Sequence, residues 1–217
     1  MAKRKRTVST GEMTAIHEMP RRFRLNGSQE LALEAINNHA VSVLIGNAGT
    51  GKSFVALYAA REFLQTGAVE KVIVVRSPLE IARARIGFLP GEIDLKMAPW
   101  AAASKAIAKE LGIEPSVEFL PLGFIQGMTF RHAMVIVEEC QSLTLAEFEA
   151  VVTRLGVGST MVMTGDPHQD IARSGGLGPF IRAVESVNGV AIVRFNPADN
   201  QRHPIVRDIC QALWGEA

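Results

Sequence analysis

The chain has 217 residues, 47% of them apolar and 21% charged, with two cysteines and a net charge of +1. At roughly 150 residues per domain this reads as one domain with additions, long enough to bury about 70% of its unfolded surface without covalent staples. Apolar runs such as 72–75 and 133–137 are only a few residues long, far shorter than the ~20 residues of a bilayer span, the basic MAKRKR start lacks the apolar core of a secretory leader, and Cys140 and Cys210 make no disulfide framework. A cytoplasmic protein is therefore expected, from a bacterial cell or, if virus-encoded, in the host cytoplasm.

Residues 1–24 carry seven basic side chains (Lys3, Arg4, Lys5, Arg6, Arg21, Arg22 and Arg24) against Glu12 and Glu18, a local +5 that leaves −4 on the rest. This segment reads as a basic, flexible tail, with solvation or electrostatic contact with nucleic acid as its two readings. A single domain is expected over 25–217. Ser28 is a candidate N-cap for a helix over 29–40, and Val41–Ile45 is a branched apolar run that reads as a buried strand. A helix over 54–65 and a strand over Lys71–Arg76 follow. Residues 77–99, with Gly87, Pro90, Gly91 and Pro99, read as a long irregular segment, the kind that usually carries function. Helices are expected over 101–111, 122–126, 144–155 (Thr144 as cap), 179–186 and 205–214, and strands over 133–137, 161–164 and Val190–Arg194. Continuous apolar strands separated by helices imply an α/β fold, a mostly parallel central sheet between two helical layers. Ligands of such sheets bind at the strands' carboxyl ends.

The motifs fall at those ends. Residues 46–53 read Gly46-Asn47-Ala48-Gly49-Thr50-Gly51-Lys52-Ser53, a full G-x-x-x-x-G-K-[ST] between an expected strand and an expected helix. The glycines let the main chain curl into a nest of N–H groups, and the following helix adds its own unpaired donors. Lys52 would supply a full charge to the β- and γ-phosphates and the Ser53 hydroxyl would ligate Mg²⁺, so the segment reads as a nucleoside triphosphate site, against an accidental glycine-rich turn. Residues 134–139 read MVIVEE. Carboxylates ending a buried strand are costly unless they face a ligand or a cation, so Glu138 is the expected Mg²⁺ holder and Glu139 the base that directs water. This reading puts their strand beside the phosphate-binding one, and an exchange of the two roles stays open. Residues 163–169 read MTGDPHQ: Gln169 would reach toward the γ-phosphate or the water, and Asp166 would support the turn, the plainer reading being a surface turn. Arg76, at its strand's end, would face phosphate or nucleic-acid backbone, or form a structural ion pair. Gln29 would pair with adenine or be a plain surface amide. Arg202 and Arg207 are candidates for a transition-state arginine, in cis or lent to a neighbouring subunit. His132, His168 and His203 lack ligand spacing, and Cys140 reads as a small buried side chain.

With GNAGTGKS, VVRSPLE (74–80), GFLPG (87–91), PLGFIQGMTF (121–130), VIVEECQS (135–142), MTGDPHQ and RHPIV (202–206) in hand, the chain resembles the PhoH-like family from about residue 25 to 214. The resemblance implies a P-loop NTPase fold similar to the core domain of superfamily 1 helicases. It also implies ATP and Mg²⁺ as ligands, nucleotide contacts at Gly49, Gly51, Lys52 and Ser53, Glu139 as catalytic acid, Gln169 as sensor and Arg202 as an arginine finger. Glu138 stands where the family commonly has Asp; the longer side chain predicts slower hydrolysis. ATP hydrolysis coupled to RNA or single-stranded DNA is the expected activity, with a homo-oligomeric ring supplying the second core domain that translocation needs. A slow-turnover nucleic-acid-binding switch and a ribonuclease-associated ATPase are the alternatives.

Overall fold

The computed structural model describes residues 23–77, 93–170, 175–203, 205, 206, 208, 209 and 212. Among them, six strands form one sheet in the order β3-β2-β4-β5-β1-β6: β1 (Val41–Ile45), β2 (Lys71–Arg76), β3 (Val117–Pro121), β4 (Ala133–Glu138), β5 (Thr160–Gly165) and β6 (Val190–Arg194). Every pairing is parallel, so the sheet is wholly rather than mostly parallel. Alternate side chains of the strands feed two cores. Leu44, Val74, Ile136 and Val162 pack against α1 (Gly27–Asn38), α2 (Lys52–Gln65) and α3 (Ile93–Glu110). Val43, Val75, Val137 and Met163 pack against α4 (Leu145–Val152) and α5 (Leu177–Val184), where Phe148 and Phe180 stack with centroids 4.2 Å apart. With α1, α2 and α3 on one face and α4 and α5 on the other, the architecture is the expected three-layer α/β/α. Burial on both faces is why β1, β2, β4 and β5 read as near-continuous apolar runs.

Several local expectations change. The cap of α1 is Asn26, not Ser28: the Asn26 side chain accepts from the Gln29 N–H, and the Gln29 side chain accepts in return from the Asn26 N–H. The Ser28 hydroxyl instead donates to Asp199. Residues 93–99 belong to α3 rather than to an irregular segment, whereas 78–92, with GFLPG, lie outside the described residues. Strand β3 adds to the expected set, and 122–126 holds only a 3₁₀ turn over Leu122–Phe124. Strand β4 does not adjoin β1, because β5 lies between them. Of the closing helix, residues 205, 206, 208, 209 and 212 are helical; Arg207 and most of the basic tail lie outside the described residues. Thr144 caps α4 as expected, in a capping box with Glu147. Among the described residues no helix is long and apolar enough to cross a membrane.

Candidate functional site

Because all six strands run the same way, their carboxyl ends share one edge. Register places Ile45 beside Gly165 and Arg194, and Arg76 beside Glu138. The loop from β1 to α2 is the curled cradle the motif implies: Gly49 and Gly51 stand at φ +84° and +88°, the left-handed region that L side chains disfavour. Thr50 is fully buried and its hydroxyl donates to the Asn47 carbonyl. Lys52 opens α2, so the first-turn N–H groups of that helix lack intrahelical partners and face the same concavity.

A cavity of about 340 Å³ lies over this loop, lined by Gly49, Gly51, Lys52, Ser53, Glu139, Asp166, Gln169 and Arg202, with Phe54, Ala103 and Ile107 as an apolar wall. Four residues expected to meet a nucleotide, Lys52, Glu139, Gln169 and Arg202, thus come from four separate segments to one place. The Lys52 ammonium donates to the carbonyls of Gly46 (2.6 Å) and Asn47 (2.9 Å). Burial lowers its pKa, an effect that Asp166 and Glu139 oppose. The segment after β6 braces the loop from the other side: Asn200 Nδ2 donates to the Ala48 carbonyl and the Gln201 N–H to that of Gly49. Arg202 packs on Gly49 and lines its own chain's cavity.

The two carboxylates have different surroundings. Glu138 is 4% exposed and absent from the cavity lining; it accepts from the Ser104 hydroxyl of α3 at 2.6 Å and pairs with Arg76 at 4.0 Å. Glu138, expected to hold Mg²⁺, is thus not among the residues brought to the cavity lining; its carboxylate reaches α3 and β2. Glu139 lines the cavity, in a left-handed backbone conformation (φ +53°) that turns it off the strand. Its carboxylate accepts from Gln141 Nε2 at 2.7 Å and lies 3.5 Å from Arg76. Arg76 therefore turns its guanidinium to these two acids, the ion-pair reading of the sequence rather than the phosphate-facing one.

Gln29 also departs from expectation. It is 2% exposed, its Nε2 donates to the Thr50 carbonyl and its Oε1 is taken by the Asn26 N–H, so the amide clamps the cradle from behind instead of offering a free edge to adenine. Asp166 does more than support its turn: one carboxylate oxygen accepts from the Ala48 N–H and the other from that of His168. The residue that sequence reasoning missed is Gln141, whose Oε1 accepts from the Asp166 N–H. Burial pushes the Cys140 thiol up to about 12, consistent with an inert packing side chain. Among the described residues no group of three or more His, Cys, Asp or Glu side chains could hold a metal. A single Mg²⁺ bound chiefly through phosphate needs fewer ligands, and the hard oxygens of Ser53 and Glu139 in one cavity fit it.

A family model described as PhoH-like protein matches residues 24–214. The chain is 36% identical to a PhoH-like protein of Synechocystis sp. over 85% of this chain and 60% of that one. It is 33% identical to one of Bacillus subtilis (77% and 56%) and 34% identical to Protein PhoH of Escherichia coli K12 (80% and 53%). The chain thus spans little more than half the length of these relatives. Among solved structures, the large terminase of a thermophilic bacteriophage superposes with a TM-score of 0.59 over 90% of this chain and 52% of that one, at 12% identity. The same terminase in complex with ADP gives 0.57, over 89% and 51%, at 13% identity.

Proposed function

The chain belongs to the PhoH-like family, and from that premise we propose that it is a Mg²⁺-dependent ATPase whose turnover is coupled to binding or remodelling of RNA or single-stranded DNA. One observation carries the ATPase reading: Lys52, Ser53, Glu139, Gln169 and Arg202 line a single cavity over a glycine-lined loop. The terminase that shares the fold is described with ADP bound. Lys52 exchanges its two loop carbonyls for the β- and γ-phosphates, and the first-turn N–H groups of α2 hold the α- and β-phosphates. Bound through Ser53, with Glu139 nearby, Mg²⁺ would neutralise phosphate charge during transfer. Glu139 orients the attacking water and takes its proton. Gln169 reports on the γ-phosphate, and Arg202, in cis, meets the charge that develops there.

The coupling to nucleic acid rests on the basic residues at 3–6 and 21–24. A cytoplasmic protein working as a homo-oligomer, in a ring, completes this reading; with Arg202 already in its own cavity, the ring would serve to supply a second nucleic-acid surface. One observation favours a slow switch as the second reading: Arg76 pairs with Glu139 and restrains the base. Steady-state ATP hydrolysis with Mg²⁺, with and without single-stranded RNA and DNA, tests both. Stimulated turnover supports the coupled ATPase, tight binding with negligible turnover the switch, and Lys52→Ala binding ATP as tightly as the native chain refutes the site itself.

A further inference from the structure

We infer that Gln141 is a positioning residue that aims Glu139 at the water and ties it to the phosphate cradle through Asp166. This rests on the ATPase reading above. Gln141 lies in the 3₁₀ turn Cys140–Ser142 just after β4, and it is 1% exposed. Its amide spans two strand ends: Oε1 accepts from the Asp166 N–H at 3.0 Å, and Nε2 donates to Glu139 Oε2 at 2.7 Å. That orientation is forced by chemistry. A main-chain N–H can only donate, so the oxygen must face Asp166; the NH₂ is left for Glu139, which as a carboxylate can only accept.

The connection continues to the cradle. Asp166 Oδ2 accepts from the Ala48 N–H at 2.8 Å, so three consecutive hydrogen bonds link the loop after β1, the end of β5 and the base at the end of β4. The main chain holds Glu139 in the left-handed region, where a non-glycine residue is strained, and the Ser142 N–H bonds its carbonyl at 3.0 Å. Backbone strain sets the direction of the side chain, and Gln141 fixes the rotamer within it. The space for this amide comes from Gly165, where an added Cβ would lie 3.2 Å from Gln141 Oε1 and 2.7 Å from the Cys140 sulfur. An amide so placed acts on turnover and leaves ground-state phosphate binding to the cradle.

The test compares the native chain with Gln141→Glu, which is isosteric, and Gln141→Leu, which removes both hydrogen bonds. Turnover, the affinity for a non-hydrolysable Mg²⁺–ATP analogue and circular dichroism are measured on each. We expect kcat to fall by about 10- to 100-fold in both, the size of one lost hydrogen bond to a charged group, with analogue affinity held within about twofold. Unchanged kcat in both variants, or affinity falling in parallel with kcat, overturns the inference, and so does loss of the fold in both, which would make the amide structural only. A native chain that hydrolyses no ATP overturns the proposed function and this inference together; an active native chain with unaffected variants overturns the inference alone.

Discussion

Replacing Gly51 by alanine tests how the cradle is held. At φ +88° an L residue costs about 1–2 kcal/mol. A Cβ there would also lie 2.2 Å from Gln29 Nε2. A long side chain usually yields to such an approach. Here the amide is 2% exposed and held at its other end by the Asn26 N–H at 3.1 Å, so moving it forfeits the 3.2 Å bond to the Thr50 carbonyl. Leaving a buried carbonyl unpaired adds about 1–3 kcal/mol. The sum, about 2–5 kcal/mol, lowers Tm by roughly 4–20 °C for a domain of this size. Urea unfolding of the native chain, Gly51→Ala, Gln29→Ala and the double variant separates the two contributions. With Gln29 truncated only the dihedral cost remains, so the cycle should show a coupling of about 1–3 kcal/mol. A coupling under about 0.5 kcal/mol would show that Gln29 does not clamp the loop.

Three further outcomes follow from the same geometry. Burial lowers the Lys52 pKa in the free chain, and triphosphate charge favours its protonated form, so ATP affinity should be full below the free-state pKa and weaken as pH rises through it; fluorescence titrations across the alkaline range check this, and the same decline in Lys52→Ala would refute it. Phe148→Ala removes a fully buried ring stacked on Phe180 and should cost about 3–5 kcal/mol by calorimetry; a loss under about 1 kcal/mol would mean that the second core does not depend on this pair. Glu138→Asp withdraws the carboxylate from Ser104 and would free it to hold Mg²⁺, so turnover should rise; an unchanged or lower rate would retire the idea that the longer acid slows hydrolysis.

The cradle, its flanking strand and helix, and the acidic strand end were legible because their signals are local: a fixed spacing of glycines, a branched apolar run, two adjacent acids. Strand β3 was not, because it lies at the sheet's edge. Its half-buried sequence Val117–Pro121 carries Glu118 and ends in proline, so neither an apolar run nor a clean alternation marks it. Asn26 and Ser28 are both good capping types, and only the return bond from Gln29 decides between them. The position of β5 between β1 and β4 is a matter of topology, which motif order along the chain does not encode. Gln141 and Asp166 are 25 residues apart, and nothing in either neighbourhood announces a hydrogen bond between them. Glu138 illustrates the converse: its place at the end of β4 is plain from the sequence, yet its partner is the Ser104 hydroxyl on a helix 34 residues upstream, which no local signal announces.

The wiring of the sheet has a consequence for how the chain is made. Strand β1 leads into the phosphate loop and emerges early, yet both of its hydrogen-bonded neighbours, β5 and β6, come more than 100 residues later. The groups that shore up the loop, Asn200 and Gln201, come later still. Until that stretch leaves the ribosome, the part of the chain richest in sequence signal has no walls, and a growing chain cannot grip a nucleotide. Closure over so long a loop is slow, and it makes the far end of the fold the gatekeeper of the near one.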